Sequence, residues 1–248
     1  KTKESKIKQF SALALGLLLI AGIAGGTQVA KLWLTKEYAK YSIRGERILT
    51  PLESEKENAN PKEGLNRDYA YSWSQGKMET FTMLVPYFYG GGSAEKVKPS
   101  MESYNVLSTY MDKNALDNYI AKDQLKLPFY FGDQPFTAGP LYVGAIVCFL
   151  FVLGLFVLDG RDKYWILAGV VITMMLAWGR NLEWFNYFLF DHLPGFNKLR
   201  SVSMALSHTF ILMNLMGFMA LDKVFRTKDN RAVLEKKLLY AAGIVGGL

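Results

Sequence analysis

The most constraining feature of this sequence is that its apolar residues occur in blocks about as long as a bilayer is thick, with the charged residues between the blocks. A helix needs about 20 mostly apolar residues to span a membrane. A helix in a soluble core has one apolar stripe and a charged opposite face, which these blocks lack. The sequence therefore predicts an all-α polytopic membrane protein.

The apolar blocks define the predicted spans. Four complete transmembrane helices and the start of a fifth are predicted, at 10–30, 139–158, 164–178, 202–221 and 238–248. The long segment between the first two is predicted to be a partly helical extracytoplasmic loop, with a helix over 68–86. The predicted organisation is a basic lead and first helix at 1–30, the loop domain at 31–138, and the remaining helices at 139–248.

The basic residues predict an orientation. The chain has a formal net charge of +7, and the excess lies in short stretches beside the spans, including the loop 222–237. Short cytoplasmic loops are enriched in Lys and Arg. We therefore expect a cytoplasmic N-terminal end, with 31–138 and the loop 179–201 on the outer face. Basic residues placed in this way do not indicate a nucleic-acid partner.

The sequence begins with Lys1 and ends within an apolar run. We therefore expect it to be a piece of a longer protein. The one cysteine, Cys148, lies within an apolar block and has no second cysteine with which to form an intrachain disulfide. No cofactor- or metal-binding motif is found in the sequence, and we expect neither a cofactor nor a metal.

A cluster of polar and aromatic residues at 69–80 is the first candidate for substrate binding. On a helix, Trp73 would share a face with Lys77 and Thr80, and Gln75 would share another with Glu79. An aromatic ring beside hydrogen-bonding groups suits a sugar. The alternative is a solvated helix side that packs on the membrane through its aromatic residues.

The loop 179–201 is the second candidate, because Arg180, Lys198 and Arg200 gather near one face of the predicted bilayer. Arginine offers a bidentate fork to a phosphate, and lysine a point charge. The alternative is ordinary anchoring of these side chains at helix ends. His192 in the same loop is a candidate proton shuttle or a structural histidine.

Glu79 is the one candidate for a catalytic carboxylate. Near a membrane surface it could act as a general base. The alternative is an ion pair with Lys77 or Arg67, and the sequence identifies no partner carboxylate. The sequence therefore leaves the catalytic residue unknown, and Glu79 is the candidate that it offers.

Three segments of the chain resemble the YfhO family of bacterial integral membrane proteins. They are YSWSQGKMETFTMLVP at 71–86, YFGDQPFTAGPLYVGA at 130–145 and LPGFNKLR at 193–200. The resemblance implies a central piece of a protein similar to the GT-C glycosyltransferases in the bacterial cytoplasmic membrane. It also implies that the catalytic acid lies in an outer loop that precedes this sequence.

The function that the resemblance implies is transfer of a sugar from a polyprenyl-phosphate carrier to an extracytoplasmic cell-envelope acceptor. The expected partners are the lipid bilayer, the polyprenyl-phosphate-linked sugar and an envelope glycan or polymer. Two alternatives remain open. One is a transporter or flippase of lipid-linked intermediates, and the other is a non-catalytic membrane scaffold.

Overall fold

The structure is a computed structural model that describes residues 3–45, 64–139, 141–226 and 231–247. The chain divides into two compact units, Lys1–Arg67 and Asp68–Leu248. Residues 46–63 of the predicted loop domain lie outside the described residues.

The first unit contains two helices, α1 (Lys3–Thr27) and α2 (Val29–Ala39), which are separated at Gln28. The apolar side chains of α1 are exposed on all its faces. A helix that is apolar all round belongs in an apolar environment. The run Ile7–Thr27 is long and apolar enough to cross a membrane.

The number of candidate spans corrects the predicted fold class. Two helices in the described part of the chain can cross a membrane by length and composition, Ile7–Thr27 and Val202–Arg226, rather than four and the start of a fifth. A third arises only if Asp162–Ala177 and Gly179–His192 form one span, and these two helices are bent by 115°. The short sheet described below also departs from the all-α prediction.

The second predicted span is shortened by its glycines. Within 139–158 only α6 (Ala145–Val157) is helical, which at 1.5 Å per residue is about 20 Å long. Gly144, just before α6, has a φ of 112°. This value favours glycine and is not helical, so the helix does not extend toward residue 139. The N–H groups of Val143 and Gly144 both donate to the Met83 carbonyl at 3.2 Å. The residues before α6 are therefore bonded to another segment.

The predicted fifth span differs in composition from the helix that forms there. This helix, α10 (Arg231–Gly246), begins seven residues before the predicted start and has 16 residues. Its first two turns contain Glu235, Lys236 and Lys237. The helix is short and these charges are costly in hydrocarbon, so α10 is not among the candidate spans.

Four helices of the second unit pack as a bundle. The helix α9 (Leu206–Arg226) packs against α6 and α7 (Asp162–Ala177), and α10 packs against α6. Glycines permit the close contacts. A Cβ added to Gly154 would lie 2.6 Å from Met216 Cγ, and one added to Gly169 would lie 2.7 Å from Leu212 Cδ1. Small residues let membrane helices approach in this way.

A small helical hairpin lies between 95 and 127. It contains α4 (Glu102–Tyr110) and α5 (Lys113–Ala121). The strand β1 (Glu95–Lys96) precedes these helices in the sequence, β2 (Lys126–Leu127) follows them, and the two strands pair with each other in antiparallel orientation. Its core is formed by three buried residues, Val97, Tyr104 and Leu116. The N-cap Asp112 accepts a hydrogen bond from the Ala115 N–H at 3.0 Å, which satisfies one free donor at the start of α5.

Short elements complete the described chain. The helix α3 (Arg67–Ala70) falls at the boundary of the two units, and α8 (Glu183–His192) follows α7. The described 3-10 turns are Met78–Met83, Gly179–Leu182, Phe196–Lys198 and Val202–Ala205.

Candidate functional site

The two predicted clusters meet in the structure, because the segment 71–76 docks on the end of α7. The Gln75 N–H donates to the Ala177 carbonyl at 2.9 Å, and the Asn181 side-chain amide donates to the Gln75 carbonyl at 2.9 Å. The Ser74 hydroxyl accepts the Arg180 N–H at 2.9 Å. Residues about a hundred positions apart in the sequence therefore share one polar contact.

Gly179 makes this docking possible. Its φ is +48°, and a Cβ there would lie 2.0 Å from the Ser74 hydroxyl oxygen. A side chain at this position would therefore clash with the docked segment and strain the backbone. Trp178, the preceding residue, donates from its indole to the Thr80 hydroxyl at 2.8 Å.

The predicted helix over 68–86 is wrong. The structure has α3, then turns and irregular backbone over 71–77, then the 3-10 turn Met78–Met83. The backbone of Gln75 bonds to residues of the α7 end instead of to its own segment. Tertiary hydrogen bonds have replaced the helical ones, and Trp73, Gln75 and Glu79 do not share helix faces as predicted.

Glu79 is buried, with 3% of its surface exposed, and each of its carboxylate oxygens has a donor. The Tyr130 hydroxyl donates to Oε1 at 2.8 Å, and the Gly76 N–H donates to Oε2 at 3.0 Å. The Gln134 N–H donates to the Tyr130 oxygen at 3.1 Å. Tyr130 and Gly76 are therefore the hydrogen-bond partners of the Glu79 carboxylate, whereas the sequence suggested an ion pair with Lys77 or Arg67.

Burial raises the pKa of the Tyr130 hydroxyl well above its ordinary value of 10.0. The N–H of Gln134 lowers this pKa, and the bond to Glu79 and the charge of Asp133 raise it further. Tyr130 is therefore a neutral donor at physiological pH. It holds the Glu79 carboxylate in one orientation, since a buried charged acceptor needs its donors.

Asp133 supplies a second carboxylate beside Glu79. Asp133 Oδ2 and Glu79 Oε2 lie 3.3 and 3.7 Å from the position that a Cβ on Gly76 would take. Asp133 is exposed, and the Arg180 guanidinium donates to its backbone carbonyl at 3.0 Å. An exposed carboxylate and a buried carboxylate thus meet at Gly76, and a guanidinium is bonded to the residue that carries the exposed one.

An aromatic platform adjoins these charged groups. The ring of Trp73 packs edge-on against Phe136 and Tyr69, with centroids 5.2 and 6.3 Å apart. The Arg200 guanidinium lies 5.5 Å from the Trp73 ring centroid and 5.6 Å from that of Tyr69, and it donates to the Tyr69 hydroxyl. Arginine over such rings is held by a cation–π attraction.

Arg180 and Arg200 belong to the same site because they contact neighbouring residues. Arg180 contacts Ser74 and Asp133, whereas Arg200 contacts Trp73, which in turn packs on Phe136. The Arg180 guanidinium therefore borders Asp133, and the Arg200 guanidinium borders Trp73, whose ring packs on Phe136 in the same stretch as Asp133. Both arginines are exposed.

His192 and Lys198 are the remaining predicted residues. The His192 ring stacks on Phe188 with centroids 4.5 Å apart, and its Nδ1 lies 2.9 Å from the Phe188 carbonyl oxygen. These contacts are within α8. Lys198 ends the 3-10 turn Phe196–Lys198, and its N–H donates to the Gly195 carbonyl at 3.1 Å. Binding roles for His192 and Lys198 stay predictions.

Three residues of the site were not predicted from the sequence, Tyr130, Asp133 and Phe136, which belong to the run YFGDQPF at 130–136. Tyr69 begins the predicted cluster at 69–80 but was given no individual role. The signal for the other three was the concentration of aromatic residues and Asp133 around Gly132 within that run. Nothing in its spacing shows that it would fold against 73–79.

No family model, curated protein or solved structure matches the chain. Within 3–45, 64–139, 141–226 and 231–247, no three His, Cys, Asp or Glu residues group as a metal site.

Proposed function

We propose that this protein is a membrane glycosyltransferase-like protein that uses a polyprenyl-phosphate-linked sugar as donor and an extracytoplasmic cell-envelope polymer as acceptor. The observation that supports this function is one set of linked contacts: two carboxylates lie beside Gly76, the Arg180 guanidinium bonds to the Asp133 carbonyl, and the Arg200 guanidinium lies over Trp73. The resemblance of the segments 71–86, 130–145 and 193–200 to the YfhO family supports the same proposal.

Each group has a role in the proposed reaction. The Trp73 ring stacks on the apolar face of the sugar, and Arg180 and Arg200 bind the carrier phosphate. The acceptor hydroxyl attacks the anomeric carbon, and the bond from that carbon to the phosphate oxygen breaks. The electron pair leaves with the phosphate, where the guanidiniums stabilise its charge.

Asp133 is the proposed general base, which takes the proton of the acceptor hydroxyl. It is exposed, so a substrate can reach it, whereas both oxygens of Glu79 already accept hydrogen bonds. Glu79 is therefore the better candidate for positioning Tyr130 and Gly76 than for proton transfer. This assignment shifts the catalytic candidate from Glu79 to Asp133, and it differs from the resemblance, which implies a catalytic acid in a preceding outer loop.

The proposed location is the bacterial cytoplasmic membrane, with more than one crossing and the N-terminal end in the cytoplasm. Two helices of the described chain are long and apolar enough to cross a membrane. The basic residues before the first and after the second favour a cytoplasmic position for those ends. The site at 73–79, 130–136 and 180–200 then faces the outside, where the envelope polymer is.

The test is sugar transfer by the Arg200→Ala protein in proteoliposomes that contain a polyprenyl-phosphate-linked sugar. We expect the rate to fall by a factor of about 100, as for loss of one donor to a developing oxyanion. Asp133→Asn should lower the rate comparably. Arg161→Ala, which removes an exposed cation in the turn before α7, is the matched control and should keep the wild-type rate.

The same vesicles separate the alternatives. A flippase would move the lipid-linked sugar between leaflets without consuming it, and a scaffold would do neither. Unchanged transfer by both Arg200→Ala and Asp133→Asn would remove these residues from the proposed site. Movement of the donor with no product would favour transport.

A further inference from the structure

The helix α8 is too short to cross a membrane and does not continue the direction of α7. It has 10 residues and is about 15 Å long, half of a hydrocarbon core of about 30 Å. The two helical segments Asp162–Ala177 and Gly179–His192 are bent by 115°. If α7 runs through the bilayer, α8 therefore runs across its end.

The inner face of α8 is fixed to the protein. Asn186 is fully buried, and its amide donates to the Met175 carbonyl at 2.9 Å and the Leu182 carbonyl at 3.2 Å. The Tyr71 hydroxyl donates to the Asn186 carbonyl at 2.6 Å. These bonds hold α8 rigidly at the end of α7.

The outer face of α8 is aromatic and exposed. Trp184 and Phe188, one turn apart, are 70% and 58% exposed. The ends of the helix are polar, with Glu183 in the first turn and His192 in the last, both exposed. A helix with this arrangement is unfavourable in the centre of a bilayer, where charged groups are costly, and favourable at the interface, where Trp is enriched.

The position of α8 in the chain also indicates the interface. The candidate span Val202–Arg226 begins ten residues after α8 ends. If α9 crosses the membrane, the start of this span lies where the helix leaves the hydrocarbon, at the membrane interface. The short connection that contains Arg200 keeps α8 close to the same interface.

We infer that α8 lies along the membrane surface, with Trp184 and Phe188 inserted between lipid headgroups and the upper acyl chains. The occupant of this exposed face is the lipid bilayer. The inference rests on α7 and α9 both running through the membrane and is independent of sugar transfer. Its consequence is that Arg200 is held at the level of lipid phosphates.

The experiment measures quenching of tryptophan fluorescence by brominated phosphatidylcholine. The full chain is reconstituted in vesicles whose lipids have bromine either near the headgroup or near the bilayer centre. The wild-type spectrum minus that of Trp184→Phe isolates Trp184, and this conservative change at an exposed position leaves the packing of α8 intact. We expect a larger loss of Trp184 emission with the shallow bromine than with the deep one.

The control is Trp178→Phe, which isolates an indole that is half-buried and bonded to Thr80. Its emission should be quenched less than that of Trp184 by shallow bromine. Strongest quenching of Trp184 by the deep bromine would overturn the inference in favour of a re-entrant helix. Quenching by neither lipid would also overturn it, because the face would then meet water or protein.

Discussion

The helical bundle and the polar site both belong to the second unit, but different forces hold them. The bundle of α6, α7, α9 and α10 is held by apolar packing, in which Gly154 admits Met216. The site is held by directed bonds, such as those of Gln75 to Ala177 and Asn181. Apolar packing tolerates adjustment over many contacts, whereas a lost polar contact leaves a buried group without its partner.

The largest expected effect is on the polar side of this comparison. Gly179→Ala should destabilise the protein by about 3 kcal/mol, because it strains a backbone with positive φ and drives a methyl group into Ser74. Thermal unfolding in detergent measures the change. Gly160→Ala is the control, since Gly160 also has a positive φ but nothing within 4 Å of its Cβ position. An equal loss for both variants would show that backbone strain alone matters and that the docking contact does not.

The next effect is on the bundle. Gly154→Ala should cost about 2 kcal/mol, because its methyl group would overlap Met216 and force the helices to shift. Thermal unfolding is again the measurement, and Gly22→Ala, in open surroundings, should be neutral. Adding Met216→Ala to Gly154→Ala should recover part of the loss. No recovery would mean that Met216 is not the obstacle.

The smallest expected loss of stability comes from removing the hydrogen bond that Tyr130 donates to Glu79. Tyr130→Phe should cost about 1.5 kcal/mol, because one oxygen of a buried carboxylate loses its donor. Tyr119→Phe, on the exposed side of α5, is the control and should change stability little. Denaturant unfolding at neutral pH measures both.

The stability difference between the wild type and Tyr130→Phe should depend on pH in the alkaline range. The pKa of Tyr130 is raised in the folded protein, so its contribution to stability is complete below about pH 10, the ordinary value. It is lost as the pH rises through the raised value. The wild-type advantage over Tyr130→Phe should therefore shrink above about pH 10. An advantage that is constant in this range would contradict the role of the Tyr130 hydroxyl.

The sequence predicted helices best where composition alone decides. The candidate spans Ile7–Thr27 and Val202–Arg226 overlap the predictions at 10–30 and 202–221, because a long apolar run has no other favourable structure beside a membrane. It overestimated the number of spans. Hydropathy does not show that Gly144 turns the chain before α6, nor that the charges of α10 lie inside a helix.

The candidate site was partly visible in the sequence. Trp73, Gln75, Glu79, Arg180 and Arg200 were identified from residue type, and the structure brings their segments together. The helix predicted for 68–86 was wrong, because local propensity could not anticipate that Gln75 would bond to the end of α7. Tyr130 and Asp133 were missed for the same reason, since their partner Glu79 is distant in sequence.

Residue composition alone predicts that this chain has apolar helices suited to a membrane and clusters of aromatic, acidic and basic residues between them. These properties follow from residue type and local spacing. Only the tertiary structure decided which clusters meet, that Glu79 is buried while Asp133 is exposed, and that α8 turns away from α7. The physical reason is that hydrogen bonds over long sequence separations depend on how the loops fold, which no local pattern specifies.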